Sequence, residues 1–255
     1  MGERIKGILF DFGETIIDFG RVDLTALFKS GTKLAYEYLA ARGHRLPPFK
    51  KYLRTQLLAV RWNTFKSRIT GSEFNALDVI RRISDGQGLQ LDHEHLVELA
   101  ALWYEPLRRC SSVEPGVREM LQQFRRDGLT LGVISNTFVP GCVLDRHLEQ
   151  EHLLELLPVR VYSCDVNCRK PDPRIFQIAL ARAHLTAHQT VFVGDSLRAD
   201  VRGANRAGLT SVLKDPLDRY RHKRTRPHHR IRSLLEMHEI VAGYGEQPTG
   251  QRRPA

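Results

Sequence analysis

The chain has 255 residues, 42% of them hydrophobic and 27% charged, with a formal net charge of +10. That balance supports a well-buried core with room for a smaller accessory domain, and it excludes a disordered, collagenous or disulfide-scaffold protein. The start, MGERIKGILFDFGET, has no long apolar stretch and no small-residue cleavage site, and Lys6 stands where an acylated N-terminus needs Ser or Thr. A cytoplasmic location with no membrane attachment is therefore expected.

Taken in chain order, Ile5 to Phe10 reads as a buried strand ending at Asp11. Residues 19–112 differ in character, with no convincing strand and several amphipathic helical patterns. Leu24, Leu27 and Phe28 open one helix, Leu53, Leu57 and Leu58 another, and Leu96, Leu99 and Trp103 a third that Asp92 can cap. Val117, Met120, Leu121 and Phe124 follow Pro115-Gly116 at helical spacing. Strand and helix then alternate. Leu129 to Ile134 and Val159 to Tyr162 read as strands, Ile175, Ile178 and Ala179 after Pro173 as a helix, and Thr190 to Val193 and Thr210 to Leu213 as further strands. A last short strand is expected around His229 to Ile231 and a final helix from Ser233.

This order implies an α/β fold: a Rossmann-like, doubly wound parallel sheet with an inserted α-helical cap. The boundaries read as a core of residues 1–18 and 113–242, a cap of 19–112, and a tail of 243–255 without apolar periodicity. An insert directly after the first strand hangs over the sheet edge where Asp11 emerges, and can exclude water there.

From Lys214 onward ten basic residues face five acidic ones, so half of the excess charge is local. The segment from Arg219 to Arg232 carries most of it with one aromatic, Tyr220. It reads as a solvated loop rather than a nucleic-acid platform, which needs interleaved aromatics. The histidines at 222, 228 and 229 match no metal spacing, and Cys110, Cys142, Cys164 and Cys168 read as reduced packing thiols.

Four short segments fall at strand ends: ILFDFGETI, VISNT, CRKPDPRIF and VFVGDSLRAD. In this order the combination resembles the haloacid dehalogenase (HAD)-like hydrolases, and more closely their phosphatase branch. The resemblance runs from Ile5 to about Val241 and includes the cap insertion point. It implies that Asp11 is a nucleophile forming an aspartyl phosphate, assisted by Lys170. It further implies Mg2+ held by Asp11, the carbonyl of Gly13 and Asp195, with Asp200 supporting the metal shell and the lysine. Thr15, Ser135, Asn136 and Lys170 would cradle the phosphate of a small phosphorylated substrate. Gly203, Ala204, Ala207 and Gly208 resemble the family's small-residue helix, whose role is close packing.

One departure matters. Phosphatases of this family usually carry Asp two residues after the nucleophile, as acid and then base, and here that residue is Gly13. Three readings follow. The enzyme acts on substrates whose leaving group needs little protonation, such as acyl or aryl phosphates, or borrows an acid from Glu14, His44 or Glu105. It is a haloacid dehalogenase, which the acidic pair in GDSLRAD argues against. Or it is a weak or inactive binding or regulatory protein on the same fold.

Overall fold

The structure is a computed structural model, and it describes residues 4–220 and 223–245. Strands β1 (Gly7–Phe10), β2 (Thr130–Ser135), β3 (Val159–Tyr162), β4 (Thr190–Gly194), β5 (Thr210–Lys214) and β6 (His229–Ile231) form one parallel sheet in the order β3-β2-β1-β4-β5-β6. The chain leaves β1 for one side of the sheet and returns to the other, so the strand order reverses between β1 and β4. At such a switch point the loops beyond the carboxyl ends part and leave a crevice.

The strands alternate as buried strands must. Ile8 and Phe10, Leu131 and Val133, and Val191 and Val193 face one core. Leu9, Ile134 and Phe192 face the other, where Ile175, Phe176 and Ala179 of the opposing helix meet them. Each fully buried side chain of this size stabilises the fold by about 1.5–3 kcal/mol, which fixes the register and with it the position of every strand end.

Helices α1 (Leu24–Ala41), α2 (Phe49–Thr70), α3 (Ala76–Asp85) and α4 (His93–Arg108) form the insert. Its neck is closed by an antiparallel bridge, with the Asp18 N–H donating to the Ser112 carbonyl at 2.9 Å and the Ser112 N–H to that of Asp18 at 2.8 Å. Asp23, Asn75 and Asp92 cap α1, α3 and α4 by accepting from backbone N–H groups of the first turn. Helix α3 has no counterpart among the sequence expectations. Leu58, expected on an inner face, is 58% exposed, because α2 turns Tyr52 and Gln56 inward instead.

The core helices follow in order: α5 (Val117–Arg126), α6 (Gly141–Gln150), α7 (Ser163–Val166), α8 (Pro173–Ala183), α9 (Arg202–Arg206) and α10 (Met237–Gly245). A Cβ on Gly203 of α9 would lie 2.7 Å from the Phe176 ring, so the small residue is what lets α8 and α9 approach. Residues 243–245, expected in the tail, close the last helix instead. Helix α10 runs through Gly245, since Ile240, Val241 and Tyr244 pack on the main core, and residues 246–255 lie outside the described residues. Among the described residues no helix is long and apolar enough to cross a membrane.

Candidate active site

Because all strands are parallel, their carboxyl ends share one edge. Asp11 follows β1, Ser135 ends β2, Asp195 follows β4 and Lys214 ends β5. Lys170 arrives from the loop before α8, whose Asp172 cap and Pro173 at the first turn set the entry of that helix. The Lys170 ammonium is buried and lies 2.8 Å from Asp11 Oδ1 and 2.8 Å from Asp200 Oδ1. It also donates to the Ile134 carbonyl at 2.8 Å. Burial alone would lower its pKa, but Asp11 and Asp200 outweigh that and raise it, so the lysine stays charged.

Asp200 owes its position to two local features. It lies in a single π-helical turn, Leu197–Val201, and its Oδ2 accepts from the Ser196 N–H at 2.8 Å. A Cβ on Gly194 would fall 2.4 Å from the Asp200 carboxyl carbon, so only glycine at the end of β4 admits it.

Asp11, Asp195 and Asp200 present carboxylate oxygens within 4.8 Å of one another. Burial pushes the Asp11 carboxyl up to about 7, against the pull of Lys170, and burial with the Asp200 charge raises Asp195 as well. Asp200 Oδ1 is buried and has the Lys170 ammonium, 2.8 Å away, as its partner. An all-oxygen donor set of three carboxylates, whose mutual repulsion a single ammonium does not balance, fits a hard divalent cation such as Mg2+. Asp11, Asp195 and Asp200 are the side chains that could hold it, with Gly13 beside them on the cavity wall.

A cavity of about 570 Å3 opens from these groups toward the insert. Asp11, Gly13, Ser135, Asn136 and Lys170 line its floor, while its walls are largely aliphatic and aromatic. Asn136 lines the cavity and also holds Lys170. Its amide donates to the Lys170 carbonyl at 2.9 Å and accepts from the Lys170 N–H at 2.7 Å, which clamps the backbone that carries the ammonium. Thr15 is not brought to the cavity. It is 1% exposed, and its hydroxyl has no partner among the described groups.

None of the three acid candidates lines the cavity. Glu14 lies in a neighbouring surface groove, where its carboxylate accepts from the Phe19 N–H. Glu105 is held by Arg108 and Arg109 at 2.7 and 2.8 Å, and the Arg108 hydrogen bond helps lower its carboxyl to about 2. His44 sits in the loop after α1.

Two groups escape a reading of the sequence. The buried Lys214 ammonium donates to the Thr15 carbonyl at 2.9 Å and pairs with Glu114 at 3.5 Å, anchoring the loop that follows Asp11. The available signal is the one that marks Asp11, a charge at the carboxyl end of an apolar strand. His147 of α6 is the other. Its ring is buried against Phe12, with Tyr104 Oη 2.8 Å from Nδ1 and Ser111 Oγ 3.0 Å from Nε2.

Burial lowers the His147 pKa from 6.5 to about 4. Below pH 6.5 the unfolded chain takes up a proton that the folded one refuses, so stability is lost as pH falls from 6.5 toward 4. Chemical denaturation should show this side chain removing on the order of 3 kcal/mol between those limits, a slope that His147→Phe abolishes. An unchanged slope in the variant would place the acid sensitivity elsewhere.

The basic segment is partly neutralised from within. Arg230 pairs with Asp215 at 2.9 Å and Asp218 at 3.0 Å, and Arg219 with Asp195 at 3.5 Å. His228 bonds Ser211 and His229 bonds Tyr244, while His222 lies outside the described residues. All four cysteines are free thiols.

A family model for haloacid dehalogenase-like hydrolases matches residues 5–208. A ribulose-1,5-bisphosphate 5-phosphatase of Halopiger xanaduensis is 32% identical over 116 residues, 46% of this chain and 47% of that protein. The chain spans about half the length of the curated relatives it matches. Among solved structures, a 2-haloacid dehalogenase from Pseudomonas syringae superposes with a TM-score of 0.64 at 22% identity, covering 94% of this chain and 99% of that one. The hydrolase YfnB of Bacillus subtilis bound to magnesium superposes with a TM-score of 0.57 at 20% identity, with the same coverage. At these identities the structural likeness is one of fold.

Proposed function

We propose, from the premise that this chain belongs to the haloacid dehalogenase-like hydrolases, that it is a magnesium-dependent phosphatase of a small phosphorylated molecule, working through an aspartyl phosphate on Asp11. The observation that carries the proposal is one buried ammonium, that of Lys170, 2.8 Å from Asp11 on one side and 2.8 Å from Asp200 on the other, beside a third carboxylate.

Asp11 supplies the attacking oxygen, and Lys170 keeps that oxygen aimed while balancing the charge of the phosphoryl group. The hydroxyl of Ser135 is the donor on the β2 side of the floor, and Asn136 positions Lys170. Magnesium, when bound, would supply the positive charge that lets two anions approach. A halide would leave without the acid that Gly13 cannot supply, but its displacement has no use for the acidic trio, and that trio is what favours phosphoryl transfer here. The distant phosphatase relative supports the same choice of reaction.

The test is a panel of phosphate esters and anhydrides assayed with and without magnesium, with acid-quenched protein analysed for phosphate on Asp11. Turnover that needs the metal, with label at Asp11, is expected. Magnesium should also raise the melting temperature, with about 2.7 kcal/mol of added stability at a hundredfold excess over its Kd, and Asp195→Asn should remove most of that gain. Turnover of no phosphate by metal-loaded protein would leave the non-catalytic reading in place.

A further inference from the structure

We infer that the substrate of this site is an aryl phosphate, a phosphate monoester of an apolar phenol. The inference rests on the phosphatase reading above and adds to it the identity of the leaving group and of the body behind it.

Two independent features point there. The first is that, among the described residues, no proton donor faces the floor. The titratable side chains lining the cavity are Asp11, Arg61, Tyr104 and Lys170. Asp11 is the nucleophile in this reading, and Lys170 is fixed between two carboxylates. The Tyr104 hydroxyl is engaged with His147 at 2.8 Å, and burial raises its pKa far above neutrality. Arg61 is a permanent cation at the exposed edge. A leaving oxygen must therefore depart as an anion, which a phenol tolerates and an alkyl alcohol does not.

The second feature is the wall. Leu27, Phe28, Leu57, Val60, Trp103 and Phe138 surround the space beyond the floor, and no carboxylate or amide from the insert lines it. The Phe28 and Trp103 rings stand 5.3 Å apart at 58°, and Phe138 is itself stacked on Phe74 at 5.0 Å, so the aromatic surface is held in place. Thr25, Arg61 and Thr137 add a few polar groups at separate points of the lining, so a flat apolar ring meets most of the wall with complementary surface, whereas a polyol sets most of its hydroxyls against aliphatic and aromatic side chains.

The chemistry balances without a further reagent. An Asp11 oxygen bonds to phosphorus as the bond from phosphorus to the aryl oxygen breaks. The electron pair leaves on the phenolate, which takes its proton from solvent water. A second water then attacks phosphorus, the bond to Asp11 breaks, and the carboxylate returns with release of inorganic phosphate and one proton.

The experiment compares 4-nitrophenyl, 1-naphthyl, benzyl and glucose phosphates by kcat/KM in magnesium, and measures binding of 1-naphthyl phosphate to Asp11→Asn by tryptophan fluorescence. Benzyl phosphate keeps the ring but leaves as an alkoxide, and is expected to react at least about 10²-fold more slowly than 4-nitrophenyl phosphate. Glucose phosphate should be slower than 1-naphthyl phosphate by about 10²-fold or more. Val60→Asp, or Leu57→Gln if the first variant does not fold, should weaken 1-naphthyl phosphate binding at least about tenfold while inorganic phosphate still binds. Equal rates for benzyl and nitrophenyl esters, a preference for the sugar phosphate, or 1-naphthyl phosphate binding no tighter than inorganic phosphate would each overturn this inference and leave the phosphatase reading standing. Turnover of none of the four, together with none from the wider panel, would overturn both.

Discussion

Gly13→Asp is expected to accelerate hydrolysis of alkyl phosphates by about 10²-fold or more, because it installs an acid next to the nucleophile where the chain now has none. The backbone admits the change. Gly13 does not occupy the left-handed region, and a Cβ built on it would meet only the Phe19 ring, at 3.4 and 3.8 Å. Phe19 is a partly buried side chain at the cavity wall with room to shift by a few tenths of an ångström. The new carboxyl would project from the residue that lines the cavity floor beside Asp11, within reach of a leaving oxygen. Steady-state kinetics on benzyl and glucose phosphates check this, and the preference for acidic leaving groups should shrink in the variant. Rates that stay the same or fall would mean that a proton already reaches the leaving group by another route, or that the Phe19 ring holds the new carboxyl out of line.

Asp11→Asn is expected to remove turnover by a factor on the order of 10⁴ or more, while making the metal-free protein more stable. The two effects have one cause. In the absence of a cation the Asp11 carboxylate is partly buried beside two others, and burial pushes its pKa up to about 7. Above that pH the folded protein must hold a charge that the unfolded chain, with an ordinary carboxyl pKa of 3.8, holds in water. A neutral amide of the same shape lifts that cost, so the gain in melting temperature should be largest above pH 7 and shrink as pH falls toward 4. Thermal melts at pH 8 and pH 5, with and without magnesium, are the measurement. Magnesium should reverse the order by stabilising the native protein more than the variant. Loss of activity accompanied by loss of stability would point to a structural role for Asp11 instead.

Both predictions turn on residues that the amino-acid sequence alone picks out. Asp11 stands out because a charge at the end of a buried apolar strand is costly and demands compensation. Lys170, Asp195 and Asp200 are legible through their segments, and the fold brings them together at 2.8 to 4.8 Å. Five strands are legible in their apolar runs, β3 matching its run and the others shifting by one or two residues at one or both ends, and β6 spans the short segment expected around His229 to Ile231. Helix α3 has no counterpart among the expected helices, although Ala76, Val79, Ile80 and Ile83 recur at helical spacing behind an Asn75 cap, because ten residues make a short signal beside its longer neighbours. Asn136 reads as a phosphate ligand, and its two bonds to the Lys170 backbone, 34 positions away, are a further task that only the folded chain displays.

The parallel sheet, its insert and the set of charged residues delivered to one edge are thus written in the chain itself, since apolar runs, caps and strand ends are local properties displayed in order. How the insert faces that edge is settled only on folding. The packed insert leaves Glu14 in a separate groove, locks Tyr104 onto His147, and surrounds the cavity with Leu27, Phe28 and Trp103. The direction in which one amphipathic helix packs over another depends on contacts between residues far apart in the chain, and no periodicity within either helix records it.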